Sequence, residues 1–188
     1  MKNINKLISP KSIAIIGASK HKDKIGYQIL NNIKESGYSG DIFPVNPNDE
    51  TILGLKCFIN LSSIKKAIDL AIIVIPAPYV LDIVKECALN NVSSIIIISS
   101  GFREIGKFGI QIEDQIIKIC NDNDIALLGP NCLGLINTDC NLNASFASFN
   151  PAPGNVSFIS QSGAIISSLI DWSATNSVGF SKIFSVGN

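Results

Sequence analysis

Ser12-Ile13-Ala14-Ile15-Ile16-Gly17-Ala18-Ser19 decides the fold of this chain. A short, continuous apolar run without polar alternation is the pattern of a strand covered on both faces, and this one stops at a glycine turn. Polar residues Lys20 to Lys24 follow. Gly26 then opens a segment in which Ile29, Leu30 and Ile33 form one apolar face, until Gly37 ends it. Strand, glycine turn and helix make the first unit of an α/β sheet.

The same unit recurs outward along the sequence. Asp41-Ile42-Phe43-Pro44-Val45 reads as a second strand, closed by the turn-formers Asn46-Pro47-Asn48. After Leu53-Gly54-Leu55-Lys56, the spacing of Leu61, Ile64 and Ile68 predicts a helix from about Ser62. Leu70 to Ile75 is a third strand, halted by Pro76-Ala77-Pro78, and the next helix carries Val80, Val84 and Cys87 on one face. Ser94 to Ile98 is the fourth strand, ending in Ser99-Ser100-Gly101-Phe102. A helix bearing Ile112, Ile116, Ile119 and Cys120 leads to a fifth strand, Ala126-Leu127-Leu128. Strands alternating with helices predict a parallel sheet with helices on both faces and right-handed crossovers. Ligands of such sheets bind at the carboxyl ends of the strands. That rule gathers Gly17-Ala18-Ser19, Val45-Asn46-Pro47, Ile75-Pro76-Ala77, Ser100-Gly101-Phe102 and Gly129 to Gly134 on one crevice.

Residues 1–136 therefore read as a first domain. Between 137 and 153 the sequence breaks into Asn, Ser, Phe and Pro without periodicity, which predicts a crossing between domains. Residues 154–188 start a second α/β unit: a strand from Asn155 to Ile159, the turn Ser160-Gln161-Ser162-Gly163, a helix with Ile165, Ile166, Leu169, Ile170 and Trp172, and a strand from Ser181 to Val186. One helix and two strands make no core of their own, so the chain reads as a fragment of a longer protein.

Composition narrows the function. The chain has 188 residues, 46% of them apolar, which suffices for a sizeable core. Fifteen basic and fifteen acidic residues leave no net charge, so the electrostatic footprint of a nucleic-acid or membrane-surface binder is missing. No apolar run is long enough to span a bilayer, and Met1-Lys2-Asn3-Ile4-Asn5-Lys6 has no apolar core of a secretory signal, so a cytoplasmic protein is expected. Five cysteines without paired spacing and a single histidine, His21, argue against a structural zinc site and a disulfide framework. Cys57, Cys87 and Cys120 fall on apolar positions and read as buried hydrophobes.

Each motif has a plain reading beside its chemical one. Gly17 and Gly26 lack the spacing of a dinucleotide fingerprint, and Val45-Asn46-Pro47 stands where a nicotinamide enzyme carries a ribose-binding carboxylate. What remains, Ser19, Lys22 and Gly26 at a helix N-terminus, suits anionic phosphates, or is a tight turn with a solvated charge run. Leu128-Gly129-Pro130-Asn131-Cys132-Leu133-Gly134 puts an amide and a thiol on a bend facing the crevice, the floor expected of a thioester site. No histidine is placed to activate Cys132, so it is read as shaping the site and not as a nucleophile. Ser162-Gly163 opens a helix toward an anion, or Ser162 is simply its N-cap; no downstream Asp and His complete a hydrolase triad.

Taken in order, Ser12 to Ser19, Pro44-Val45-Asn46-Pro47, Ile75-Pro76-Ala77, Gly101-Phe102, Gly129-Pro130-Asn131-Cys132-Leu133-Gly134 and Ser160-Gln161-Ser162-Gly163-Ala164 resemble the nucleoside-diphosphate-forming acyl-CoA synthetases, a family that includes ADP-forming acetyl-CoA synthetases and the alpha subunit of succinyl-CoA synthetase. The likeness covers nearly the whole chain. It implies a Rossmann-like, parallel-sheet coenzyme A (CoA) binding domain followed by the beginning of a flavodoxin-like domain. It implies that the turn from Ser19 to Gly26 holds the CoA phosphates, that Ile75-Pro76 packs against the adenosine, and that Asn131-Cys132 lies near the pantetheine thiol. Gly17, Lys22, Asn46, Pro47, Gly101 and Phe102 complete the implied CoA site, and Ser162 and Gly163 would stabilise a phosphorylated histidine. The implied reaction interconverts acyl-CoA, ADP and phosphate with acid, CoA and ATP through an acyl phosphate and that histidine. The histidine lies in the family beyond Asn188, and His21 does not replace it, so this fragment alone is expected to be inactive, with no catalytic residue and no metal ligand of its own. ADP/ATP and Mg belong to an ATP-grasp domain or beta-type subunit, the implied partner. The alternative is the CoA-binding regulatory module of a protein acetyltransferase, in which the folds persist without the histidine.

Overall fold

The structure, a computed structural model, describes residues 3–188; Met1 and Lys2, the head of the N-terminal stretch read above, lie outside the described residues. A short helix α1 (Ile4–Ile8) precedes β1 (Ser12–Ile16), α2 (Ile25–Glu35) and β2 (Asp41–Val45). A small hairpin of β3 (Thr51–Ile52) and β4 (Leu55–Lys56) follows, then β5 (Leu70–Ile73), α3 (Ala77–Leu89), β6 (Ser94–Ile97), α4 (Lys107–Asp122) and β7 (Ala126–Leu128). β2, β1, β5, β6 and β7 pair side by side in that order, every pair parallel, with Ile13 opposite both Ile42 and Leu70. The order reverses direction between β1 and β5, the switch point at which open α/β sheets bind ligands.

Side chains alternate across the sheet because successive Cβ atoms leave a strand on opposite faces. Ala14, Ile16, Ala71, Ile73, Ile95 and Ile97 meet α3 and α4 through Val80, Val84, Cys87, Ile116 and Cys120. Ile13, Ile15, Leu70, Ile72 and Ile96 meet Ile29, Leu30 and Ile33 of α2. Both faces of β1, β5 and β6 are therefore buried, as their unbroken apolar composition requires. Gly26 lets α2 approach β1: a Cβ there would lie 2.0 Å from the Gly17 carbonyl oxygen.

A second sheet lies beyond α2. It is built from β8 (Gly134–Asn137), β9 (Leu142–Ser145), β10 (Pro153–Ser160) and β11 (Phe180–Ser185), in the order β10-β11-β8-β9, with α5 (Gly163–Asn176) between β10 and β11. β10 and β11 are parallel, and the other two pairs are antiparallel. Leu135, Leu142 and Ala144 face α2, whose Asn32 Nδ2 donates to the carbonyls of Ser145 and Ala147, each at 2.9 Å. Ile136, Phe180 and Ile183 face Ile166 and Ile170 of α5. The layers run α3/α4, first sheet, α2, second sheet, α5.

Two expectations are corrected. The helix from about Ser62 is a single 3-10 turn, Leu61–Ser63, capped by Asn60 Oδ1, which accepts from Ser63 N at 3.0 Å. Leu61, Ile64 and Ile68 are buried as their spacing required, but the nine residues from Leu61 to Asp69 include a serine pair and are too few to sustain an isolated helix. The stretch 137–153 is also no bare crossing. It begins on Asn137, the last residue of β8, and holds a 3-10 turn, Thr138–Cys140, and β9, which pairs with β8 at the edge of the sheet that β10 and β11 complete. Two of the polar residues that made it look like a loop, Asn143 and Ser145, are buried and bonded to one another, and the exposed Asn150 closes the set. Ser145 Oγ donates to Asn143 Oδ1 at 2.5 Å, and Asn143 Nδ2 donates to Asn150 Oδ1 at 2.6 Å. The segment from Asn155 to Val186 accordingly packs as part of a four-stranded sheet and not as an isolated half-unit.

Candidate functional site

The carboxyl ends of the first sheet are stitched to one another. Gly17 N donates to the Val45 carbonyl at 3.1 Å, and Asn46 Nδ2 donates to the Ala18 carbonyl at 2.8 Å. Ser99 Oγ donates to the Ile75 carbonyl at 2.5 Å, and Asn131 N donates to the Ser99 carbonyl at 3.0 Å. Gly17 (φ +92°) and Gly129 (φ +87°) adopt left-handed backbone at two of these ends, where a Cβ would meet a neighbouring strand's carbonyl oxygen at 2.4 Å.

Two cavities open on this stitched edge and share Ile75 as a wall. The larger, of about 660 Å³, has an apolar base of Val74, Ile98, Leu133 and Phe146. Ser99, Ser100, Asn131 and Gln161 add polar atoms to it, and none of its lining residues is ionisable apart from Cys132. Three helix N-termini reach it: Ile25 begins α2, Pro76 and Ala77 begin α3, and Gly163 and Ala164 begin α5. Each brings the positive end of a helix dipole, and α2 and α5 add free backbone N–H groups, so an anion is favoured there without a charged side chain; in α3, Pro78 has no N–H and Tyr79 N is bonded to the Pro76 carbonyl. The smaller cavity, of about 370 Å³, lies across Ile75, between Gly17, Val45, Asn46 and Pro47 on one side and Ile59, Leu61 and Ile83 on the other. Both volumes fall in the range of small-molecule sites.

Of the residues expected from the sequence, Gly17, Asn46, Pro47, Ile75, Pro76, Asn131, Cys132 and Gly163 line these two cavities. Gly26 is buried against Gly17 and acts through the approach of α2. Ser19 Oγ accepts from His21 N at 3.1 Å in the loop between β1 and α2, and Lys22 is exposed on that loop. Lys20, in the same loop, pairs with Asp49 at 2.7 Å, tying this loop to the turn that follows β2. Ser162 is the N-cap of α5: its Oγ accepts from Ile165 N at 3.3 Å, while Gly163 beyond it reaches the larger cavity. Gly101 and Phe102 stand apart. The Phe102 side chain is fully buried in the core against α3 and α4, and both backbone amides are bonded by the Glu104 carboxylate.

Cys132 lines the larger cavity. It is buried, its Sγ donates to the Ile97 carbonyl at 3.3 Å, and burial pushes its thiol up to about 12. A thiol so raised supplies almost no thiolate near neutral pH. Among the described residues no cluster of His, Cys, Asp or Glu could hold a metal ion, and no helix is long and apolar enough to cross a membrane.

Sequence reasoning did not single out Ile25, Phe146 or Ser167 as cavity residues. Ile25 precedes the glycine that marked the helix start, and Phe146 and Ser167 arrive through the second sheet and α5, whose placement no local pattern records.

Comparison with known proteins places this geometry in a family. A model described as CoA binding domain matches residues 11–138, and one described as succinyl-CoA ligase like flavodoxin domain matches residues 153–188. An ADP-forming acetate–CoA ligase of Methanocaldococcus jannaschii is similar at 44% identity, over 95% of this chain and 25% of that protein. The alpha subunit of the ADP-forming acetate–CoA ligase II of Pyrococcus furiosus is similar at 39% identity, over 96% of this chain and 39% of that subunit. The solved structure of dinucleotide forming acetyl-coenzyme A synthetase 1 from Ca. Korarchaeum cryptofilum, in complex with phosphate and ADP, matches with a TM-score of 0.95 at 36% identity, over 100% of this chain and 40% of that one. The chain thus spans between a quarter and two-fifths of the length of these proteins. With its parallel sheet, its glycine-shaped strand ends and a family model covering residues 11–138, the chain belongs to the CoA binding domain family.

Proposed function

We propose that the two cavities form one extended CoA site and that the chain is the CoA-binding portion of an ADP-forming acyl-CoA synthetase, acetyl-CoA being the favoured acyl-CoA. The observation that carries this reading is the shared wall at Ile75. An apolar chamber suited to an adenine ring opens on one side of it, and on the other lies a neutral cavity ringed by three helix N-termini and ending at Asn131-Cys132. The α2 N-terminus and the loop from Ser19 to Gly26, with Lys22 exposed on it, suit the phosphates. Ile75 and Pro76 offer the adenosine an apolar face, and the buried Cys132 leaves the polar end of the floor to Asn131. CoA supplies the thiol that carries the acyl group; this chain's residues bind and orient it. Gly163, at the α5 N-terminus on the same cavity, and its N-cap neighbour Ser162 suit the phosphoryl charge of a histidine carried elsewhere in the whole protein.

The whole protein's activity is proposed from its relatives: acyl-CoA, ADP and phosphate exchanged with acid, CoA and ATP, with the nucleotide and Mg held by an ATP-grasp domain or a beta-type subunit. That the Pyrococcus furiosus relative is named an alpha subunit supports such a partner. Calorimetric titration of the chain tests the CoA reading. CoA is expected to bind with a dissociation constant in the micromolar range, about −8 kcal/mol, and NAD at least about tenfold more weakly. Tighter binding of NAD would overturn the reading.

A further inference from the structure

The floor of the larger cavity is held from behind by a polar group that plays no part in the binding described above. Glu113 of α4 is 2% exposed. Its Oε1 accepts from Arg103 Nε at 2.5 Å, and its Oε2 accepts from Arg103 N at 3.2 Å and from Asn188 Nδ2 at 3.1 Å. Glu104 accepts from Gly101 N at 2.5 Å and from Phe102 N at 3.1 Å, and its Oε2 also takes Asn188 Nδ2 at 2.6 Å. Two carboxylates thus share one carboxamide NH2, which fixes the orientation of Asn188 and turns its Oδ1 the other way. That oxygen accepts from Asn131 Nδ2 at 3.2 Å, while Asn188 N donates to the Pro130 carbonyl at 3.0 Å. Gly187, at φ +70°, lets the segment lie this close: a Cβ there would sit 2.1 Å from the Pro130 oxygen.

We propose that Asn188, gripped by Glu104 and Glu113, is a positioning residue that latches the Asn131-Cys132 floor to the second sheet in its binding shape. The consequence for CoA affinity rests on the CoA reading above. Asn131 is exposed and sits at φ +57°, so without a partner its carboxamide would lose rotamer freedom on meeting a ligand. Holding it beforehand removes that cost. Charge-assisted bonds are the stronger kind, and burial of Glu113 against Arg103 keeps one jaw of the latch fixed. Partial burial pushes the Glu104 carboxyl upward, but the Gly101 amide and the Asn188 carboxamide outweigh it and hold the group below its usual range, so the second jaw stays charged. Glu104 also ties two walls together. Through Gly101 and Phe102 it fixes the end of β6, next to Ser99 and Ser100 of the cavity, and through Asn188 it fixes the end of β7.

The test is a double-mutant cycle read by calorimetric titration with CoA. Asn188→Ala is expected to weaken CoA about tenfold, and Asn188→Asp, which sets a third carboxylate against Glu104 and Glu113, by more. Asn131→Gly suits the left-handed backbone and removes the side chain the latch holds. In that background Asn188→Ala should change affinity less than about twofold. Unchanged affinity in Asn188→Ala alone, or an equal loss in both backgrounds, would overturn the latch. Amide hydrogen exchange gives a readout without CoA. In Asn188→Ala the Asn131 and Leu133 amides should exchange at least about tenfold faster while those of β1 and β5 stay protected. If the unaltered chain fails to bind CoA, the CoA reading falls alone: accelerated exchange then still supports the latch, and unchanged exchange overturns it.

Discussion

Replacing Ile75 with glutamate lowers the affinity of the chain for CoA by at least about a hundredfold, roughly 2.7 kcal/mol, and leaves it folded. Ile75 follows β5 and is the side chain that both cavities share. A ligand that occupies the two chambers together must cross it. A carboxylate there removes the apolar face and sets a negative charge beside phosphates whose only compensation is helix N-termini and loop lysines. The fold survives because Ile75 is half-buried and its main contribution is through the backbone. Its carbonyl accepts from Ser99 Oγ at 2.5 Å, and any residue keeps that bond. Ile75→Leu, nearly isosteric, should bind CoA within about threefold of the unaltered chain. Calorimetric titration with CoA, paired with a thermal melt, separates the outcomes. Binding by Ile75→Glu within threefold of the original would show that the two cavities are not one site.

Gly129→Ala is expected to cost on the order of 3–5 kcal/mol of stability, from left-handed strain and overpacking together. Gly129 sits at φ +87°, and an added Cβ would lie 2.4 Å from the Ile97 carbonyl oxygen and 3.0 Å from the Cys132 sulfur. The oxygen cannot retreat freely. It belongs to β6, which pairs with β5 and β7 on its two sides, and it accepts from Cys132 Sγ. In a chain of this size the loss corresponds to a fall in melting temperature of roughly 10 °C. Gly37, also at positive φ but with nothing within 4 Å of its missing Cβ, is the control: Gly37→Ala meets only the backbone penalty and should cost about 1 kcal/mol. Urea denaturation of the two variants measures both. Equal losses would mean that the crowding at Gly129 carries no energy.

The first sheet was legible because its chemistry is local. The apolar runs around Ile13, Ile72 and Ile96 have no polar alternation, and each is followed by a helix with a single apolar face, so strand, helix and sidedness all follow from period. The site was legible as far as strand ends determine it, which covers Gly17, Asn46, Ile75 and Asn131. What failed was whatever depends on partners distant in sequence. β9 looked like loop because its buried Asn143 and Ser145 are satisfied by one another and by Asn150 at the surface. α1 has five residues, too few to be stable alone, and is held by burial of Leu7. Leu61, Ile64 and Ile68 have helical spacing yet form no helix, since one spacing serves a buried irregular segment as well. Phe102 follows a strand end as Asn131 does, yet its ring turns into the core while Glu104 takes its amide. Position at a strand end therefore selects candidates, and the partners of each backbone amide decide among them.

The most direct measurement of the central claim is a heteronuclear NMR titration of the labelled chain with CoA. The amide resonances of Gly17, Ile75, Asn131 and Gly163 are expected to shift together along one saturation curve, with those of α1 and the far end of α4 unmoved. Shifts confined to residues outside the two cavities, or separate saturation curves on the two sides of Ile75, would contradict it.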